Sequence, residues 1–110
     1  MPLSKRARIE IYLPVRNEPR YRRLHKAIED EFLHTFGGCT VIKDTKGLYK
    51  GTDKRVDADR ISLITADAPF DLQKNFAALS KYTDALRDAA LEASGEESIL
   101  IIVHEIYHSL

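Results

Sequence analysis

The sequence predicts an α+β fold, and three observations predict it. Residues 7–15 alternate strictly between apolar and polar. Two longer stretches, about 19–36 and 71–94, carry apolar residues at helical spacing, and each ends at glycine. Between and after them lie short runs rich in β-branched residues, at 39–51, 60–66 and 98–110. The order is therefore β-α-β-β-α-β, the ferredoxin-like pattern. It implies an antiparallel sheet with two helices on one face, and leaves the other face to water, a ligand or a second copy. At 110 residues, the chain is expected to form one α+β domain over residues 1–110.

The first strand is ARIEIYLPV, where Ile9, Ile11, Leu13 and Val15 point one way and Arg8, Glu10, Tyr12 and Pro14 the other. For the first helix, Asn17 is the expected N-cap, followed by Glu18 and Pro19 in the first turn. Tyr21, Leu24, Ile28, Phe32 and Phe36 make its apolar stripe, and Gly37-Gly38 stops it. CTVIKDTKGLYKG (39–51) is expected to be an additional hairpin. Thr40 to Ile42 form its first strand, Asp44 to Gly47 supply the turn, and Leu48-Tyr49 return. Residues 52–59 are polar and expected as loop, and RISLITA (60–66) as strand. In the second helix Leu72, Phe76, Leu79, Leu86 and Ala90 share a face, and Gly95 ends it. SILIIVHEIYHSL is the last strand.

The composition is that of an ordinary globular domain: 44% hydrophobic, 31% charged, with zero formal net charge. A chain this size buries enough core to fold without a metal or disulfide. The lone cysteine, Cys39, excludes an internal disulfide and fits a reducing compartment. The first thirteen residues are basic, but their apolar run is short and broken by Glu10. No signal peptide or membrane span is expected there, and cytoplasmic residence follows. Charge is uneven: residues 1–60 hold 14 Lys/Arg and 9 Asp/Glu, residues 61–110 hold 3 and 8. Folding that interleaves the halves cancels much of this asymmetry.

HEIYH (104–108) matches the H-E-x-x-H signature of zinc peptidases. That chemistry needs a helix, where residues four apart share a face about 5–6 Å apart. Four of the five preceding residues, Ile99 to Val103, are β-branched and favour a strand. In a strand His104 and His108 stand ~13 Å apart at ~3.3 Å per residue, and Glu105 points to the opposite face. No metal site is expected. His104, Glu105, Tyr107 and His108 remain candidates for proton transfer in a cofactor-independent enzyme with a pocket at this strand. The strand is also apolar on both faces in its first half: Leu100 and Ile102 one way, Ile99, Ile101 and Val103 the other. A half-exposed antiparallel strand alternates instead. Something is therefore expected to cover its second face, and pairing with another copy, as a homodimer, is the first expectation. A small-molecule ligand is another.

RNEPRYRR places Arg16, Arg20, Arg22 and Arg23 around a helix N-terminus. With Lys46 and Lys50 in the hairpin they are candidate anion-binding residues. The aromatic signature of RNA-recognition sheets is absent, which reads against nucleic acid as the partner. No Walker, dinucleotide-binding or nucleophile-elbow motif is present, so no cofactor is expected. FGGCT (36–40) places Cys39 just after a helix end with no evident base beside it, and free cysteines are usually inert.

The run F-G-G-C-T followed by G-L-Y, at Phe36, Gly38, Thr40, Gly47 and Tyr49, resembles a pattern in small uncharacterised bacterial α+β proteins. It covers the middle third of the chain. The resemblance implies a ferredoxin-like fold, no established activity and no catalytic residues. The functional expectation, motivated by the apolar second face of the last strand, is a non-enzymatic binding or regulatory module acting as a homodimer; the cofactor-independent enzyme at the last strand and a nucleic-acid-binding domain using the basic N-terminal half are the alternatives.

Overall fold

The computed structural model describes residues 3–109. The elements follow in the expected order: β1 (Ser4–Pro14), α1 (Pro19–Phe36), β2 (Thr40–Lys50), β3 (Val56–Ala68), α2 (Phe76–Ser94) and β4 (Leu100–His108). The strands form one antiparallel sheet in the order β2-β3-β1-β4. Both helices pack on the same face of it. The fold is ferredoxin-like, α+β, with β4 at a sheet edge.

β1 is central, so its inward residues meet neighbours on both sides. Ile9 lies opposite Ala66 and Val103, and Ile11 opposite Ile64 and Ile101. Ala7, Ile9, Ile11 and Leu13 are all 0% exposed. Above them sit Leu24, Ile28 and Phe32 of α1 and Leu79, Leu86 and Ala90 of α2. Phe36 extends this core edge-on between Phe32 and Tyr82, with ring centroids 5.8 and 5.5 Å away. Gly37 (φ 82°) ends α1 and Gly95 (φ 76°) ends α2. Each N–H donates to a carbonyl four residues back, Leu33 and Leu91. The N-cap of α1 is Glu18, with extended backbone, not Asn17. Pro19 occupies the first helical position, where its fixed φ fits and its missing N–H costs nothing.

Residues 39–51 are not a separate hairpin. β2 runs unbroken from Thr40 to Lys50 and pairs with β3 along its length. Asp44 does adopt a left-handed conformation (φ 60°), but inside a bulge between Ile42 and Thr45 rather than in a turn. Its carboxylate accepts from Arg60, and the Thr45 hydroxyl donates to the Ile61 carbonyl at 2.9 Å. The reversal comes later, where Gly51 and Arg55 share a backbone hydrogen bond and Lys54 takes φ 64°. The polar run expected as loop holds that turn and the start of β3.

Beyond the Pro14–Ile61 pair, β2 and β3 continue with no third strand beside them among the described residues. They project as a two-stranded arm, which explains the 47 × 30 × 25 Å extents. It also explains a radius of gyration of 15.1 Å, against about 13 Å for a compact chain of this length. Leu48 and Val56 are more than 60% exposed on one side of the arm. On the other, Tyr49 lays its ring over Gly47, where an added Cβ would come within 2.6 Å of the phenolic oxygen. That contact gives the G-x-Y pair a physical reason.

Phe76 departs from its expected place in the core: it is 66% exposed. α2 starts at this residue, and Leu72 packs against the core from the preceding turn instead. Among the described residues, no helix is long and apolar enough to cross a membrane.

Candidate functional site

The sheet face without helices is assembled from alternate residues of each strand. Register sets Ile42, Leu63, Tyr12 and Leu100 in one row across all four strands. The next row is Thr40, Thr65, Glu10 and Ile102. Beyond it come Asp67, Arg8 and His104. Leu100 is 55% exposed, Ile42 46% and Ile102 37%. Among the described residues, nothing covers this half of β4.

Polar residues on the face pair sideways. Arg8 donates to both carboxylate oxygens of Asp67, at 2.7 and 3.1 Å. This fork holds the Asp67 carboxyl below its usual range and raises the Arg8 guanidinium further. Glu10 joins His104 Nε2 at 2.9 Å and accepts from the Tyr12 hydroxyl at 3.1 Å. Burial, then the Glu10 hydrogen bond, raises the Tyr12 phenol. A carboxylate-oriented imidazole is a general-base arrangement, but His104 stands 44% exposed on an open sheet rather than in a cavity.

A concave site forms at one end of this face. The α1–β2 turn, Phe36 to Thr40, rises beside the sheet and encloses about 470 Å³ with Arg6, Arg8, Thr65, Asp67 and His108. Gly37 needs its left-handed backbone there, and neither Gly37 nor Gly38 has any atom within 4 Å of an added Cβ, so the turn presents bare main chain. Arg6 Nε donates to His108 Nε2 at 2.9 Å. Among the described residues Arg6 has no carboxylate partner, which leaves its terminal N–H groups for an anion. Cys39 lines the same cleft, and burial pushes its thiol up, away from the reactive thiolate.

The four candidates at the last strand do not converge. β4 is extended through HEIYH, so His104 and His108 share the open face while Glu105 and Tyr107 take the helix side. Glu105 pairs with Lys5 at 3.2 Å, and Tyr107 is 59% exposed. Only His108 borders the cleft. Among the described residues no group of three or more metal-ligating side chains forms.

The predicted anion-binding residues are also divided. Arg16 is forked onto Asp59 at 2.7 and 3.2 Å and reaches Glu96 at 3.4 Å. Arg20 donates to Glu18 at 2.9 Å. Arg22 and Arg23 are exposed on α1, while Lys46 and Lys50 lie out on the arm. Most of these partners, Asp59 and Glu18, come from the first half of the chain itself; acids of the second half reach first-half bases at Arg16–Glu96, Arg8–Asp67 and Lys5–Glu105. Sequence reasoning passed over Arg6 and Arg8. On a lone strand they look like ordinary outward-facing charges, and only the turn beside them makes a site.

No protein-family model matches the chain, and neither does any curated protein sequence. Solved structures do match. CutA1 from Oryza sativa superposes with a TM-score of 0.53 at 15% identity, over 98% of this chain and 85% of that one. CPII from Thiomonas intermedia K12, solved bound to ADP, AMP and acetate, gives 0.52 at 20% identity, over 100% and 94%. At these identities the likeness is one of fold: the chain has the ferredoxin-like architecture that CutA1 and the PII-like proteins share.

Proposed function

We propose that this chain is a non-enzymatic ligand-binding regulatory module of the cytoplasm. It binds an anionic small molecule, an adenine nucleotide foremost, in the cleft between the Gly37–Thr40 turn and the open sheet. One observation carries the reading: Arg6 brings unpaired guanidinium N–H groups into a concave site, beside bare glycine backbone and the Arg8–Asp67 fork. With Asp67 answering Arg8, the cleft keeps one positive charge from Arg6. Phosphate and carboxylate groups suit that chemistry. CPII, similar in fold and bound in its structure to ADP, AMP and acetate, supports the choice of probe.

The same reading includes a homo-oligomer, in its simplest form a dimer, assembled through the open sheet face and β4. The apolar row of Ile42, Leu63, Tyr12 and Leu100 supplies its contact. The test is calorimetric titration with ADP, AMP and inorganic phosphate. Saturable binding is expected, weakened at least tenfold in Arg6→Gln and unchanged in Lys54→Gln at the arm's tip. Absence of binding at millimolar concentration, or binding indifferent to Arg6→Gln, overturns the site.

A further inference from the structure

A second cleft lies on the opposite side of the molecule, between the two helices. α1 and α2 run antiparallel. At one end Arg20 Nη1 lies 3.2 Å from the position a Cβ on Gly95 would take. At the other, Phe36 and Tyr82 meet edge-on, and the Tyr82 hydroxyl donates to Glu31 at 2.7 Å. Between these ends the helices enclose about 650 Å³, well inside the range of small-molecule sites. Its floor is core: Leu24, Ile28 and Leu86. α2 turns Ala85, Ala89 and Ala93 toward it, a ridge spaced by four whose side chains stop at Cβ. A larger residue on that ridge would fill the slot in the ordinary way of packed helices.

The two ends differ in charge. Arg20 and Arg23 line the end where α1 begins; Arg20 is already paired with Glu18 at 2.9 Å, whereas Arg23 has no ion pair or hydrogen bond among the described residues and supplies the uncompensated charge. The other end is occupied: Glu31 accepts from both Thr35 and Tyr82, and these bonds hold its carboxyl ionised below the usual range. An anion is attracted to the first end and repelled from the second. Residues 23 to 31 of a helix span roughly 12 Å at 1.5 Å per residue, the length of a medium-chain alkyl tail.

We propose that the slot between α1 and α2 binds a medium-chain aliphatic carboxylate, its head on Arg23 and Arg20 and its tail along Ala85 and Ala89 toward Tyr82. The site is separate from the cleft at Arg6, and neither reading depends on the other.

The probe is decanoate, titrated into the whole chain below its micellar concentration. One saturable site is expected, with decanol and a decyl trimethylammonium cation at least tenfold weaker. Ala89→Leu, at an exposed helix position that tolerates leucine well, fills the slot. It should weaken decanoate at least tenfold while the unfolding midpoint stays equal or rises. Ala85→Leu repeats that test one turn away. Arg23→Gln should weaken decanoate about tenfold, and Lys54→Gln, in neither cleft, should leave it unchanged. Absence of saturable binding, equal binding by decanol, or indifference to both leucine variants overturns the proposal. So does loss of self-association in Ala89→Leu, which would make the slot a contact between copies.

Discussion

The two faces of the sheet are built from the same strands and solve burial in opposite ways. On the helix side, β1 contributes Ala7, Ile9, Ile11 and Leu13, all fully buried beneath two helices. On the open side the same strand contributes Arg8, Glu10 and Tyr12, paired with Asp67, His104 and Glu10, and Arg6, which meets His108 through Nε alone and keeps its terminal N–H groups free among the described residues. The first face is stabilised by exclusion of water. The second is organised by directed pairs that persist in water, and exposed apolar side chains stand among them. The difference teaches where function can sit. Changing the first face dismantles the fold, whereas the second can meet a ligand or another copy without repacking.

The contrast is sharpest under truncation. Ile11→Ala should cost about 2–5 kcal/mol in denaturant unfolding, because a fully buried side chain leaves a cavity. Leu100→Ala, measured in dilute protein, should cost about 0.5 kcal/mol or less. Equal costs would mean that β4 is covered within the single chain. The next largest effect concerns assembly. Leu63→Glu, in the middle of the open face, should abolish self-association by light scattering while leaving the far-ultraviolet dichroism intact. A wild-type chain that is strictly monomeric at high concentration would remove the oligomer altogether.

A smaller effect separates the faces by pH. The folded Asp67 carboxyl lies below its unfolded value of about 3.9, so its contribution is complete above that value and is lost as pH falls through the folded one. Asp67→Asn should flatten this acid limb by about 1 kcal/mol or less, since the pair with Arg8 is partly exposed. Ile11→Ala should lower the whole pH profile evenly. Smallest of all, Gly47→Ala should push the Tyr49 ring off the arm, detectable as a change in its proton chemical shifts, with a stability change within about 1 kcal/mol.

The contrast also explains what could be read from the chain beforehand. The covered face was legible because burial imposes periodicity: alternation in β1, and the Tyr21, Leu24, Ile28, Phe32 stripe in α1. The strand state of HEIYH was legible from a different signal, the β-branched run from Ile99 to Val103. Turn chemistry misled at Asp44, because a left-handed residue serves a bulge as well as a turn, and periodicity cannot tell them apart. Phe76 misled because spacing alone does not say where a helix begins. The cleft was the least legible part. Arg6, Asp67, His108 and the glycine turn are far apart along the chain and meet only through register, which no local pattern encodes.

The arm of β2 and β3 lies past the last three-stranded pairing and is anchored by the bulge at Asp44. Two residues added to each of its strands would lengthen it by roughly 7 Å at 3.3–3.4 Å per residue, with every side chain keeping its present orientation. A single residue added to one strand would reverse the outward and inward sides beyond it. Its reach is therefore a molecular ruler graduated in pairs, adjustable by evolution or by an engineer while the body of the domain stays as it is.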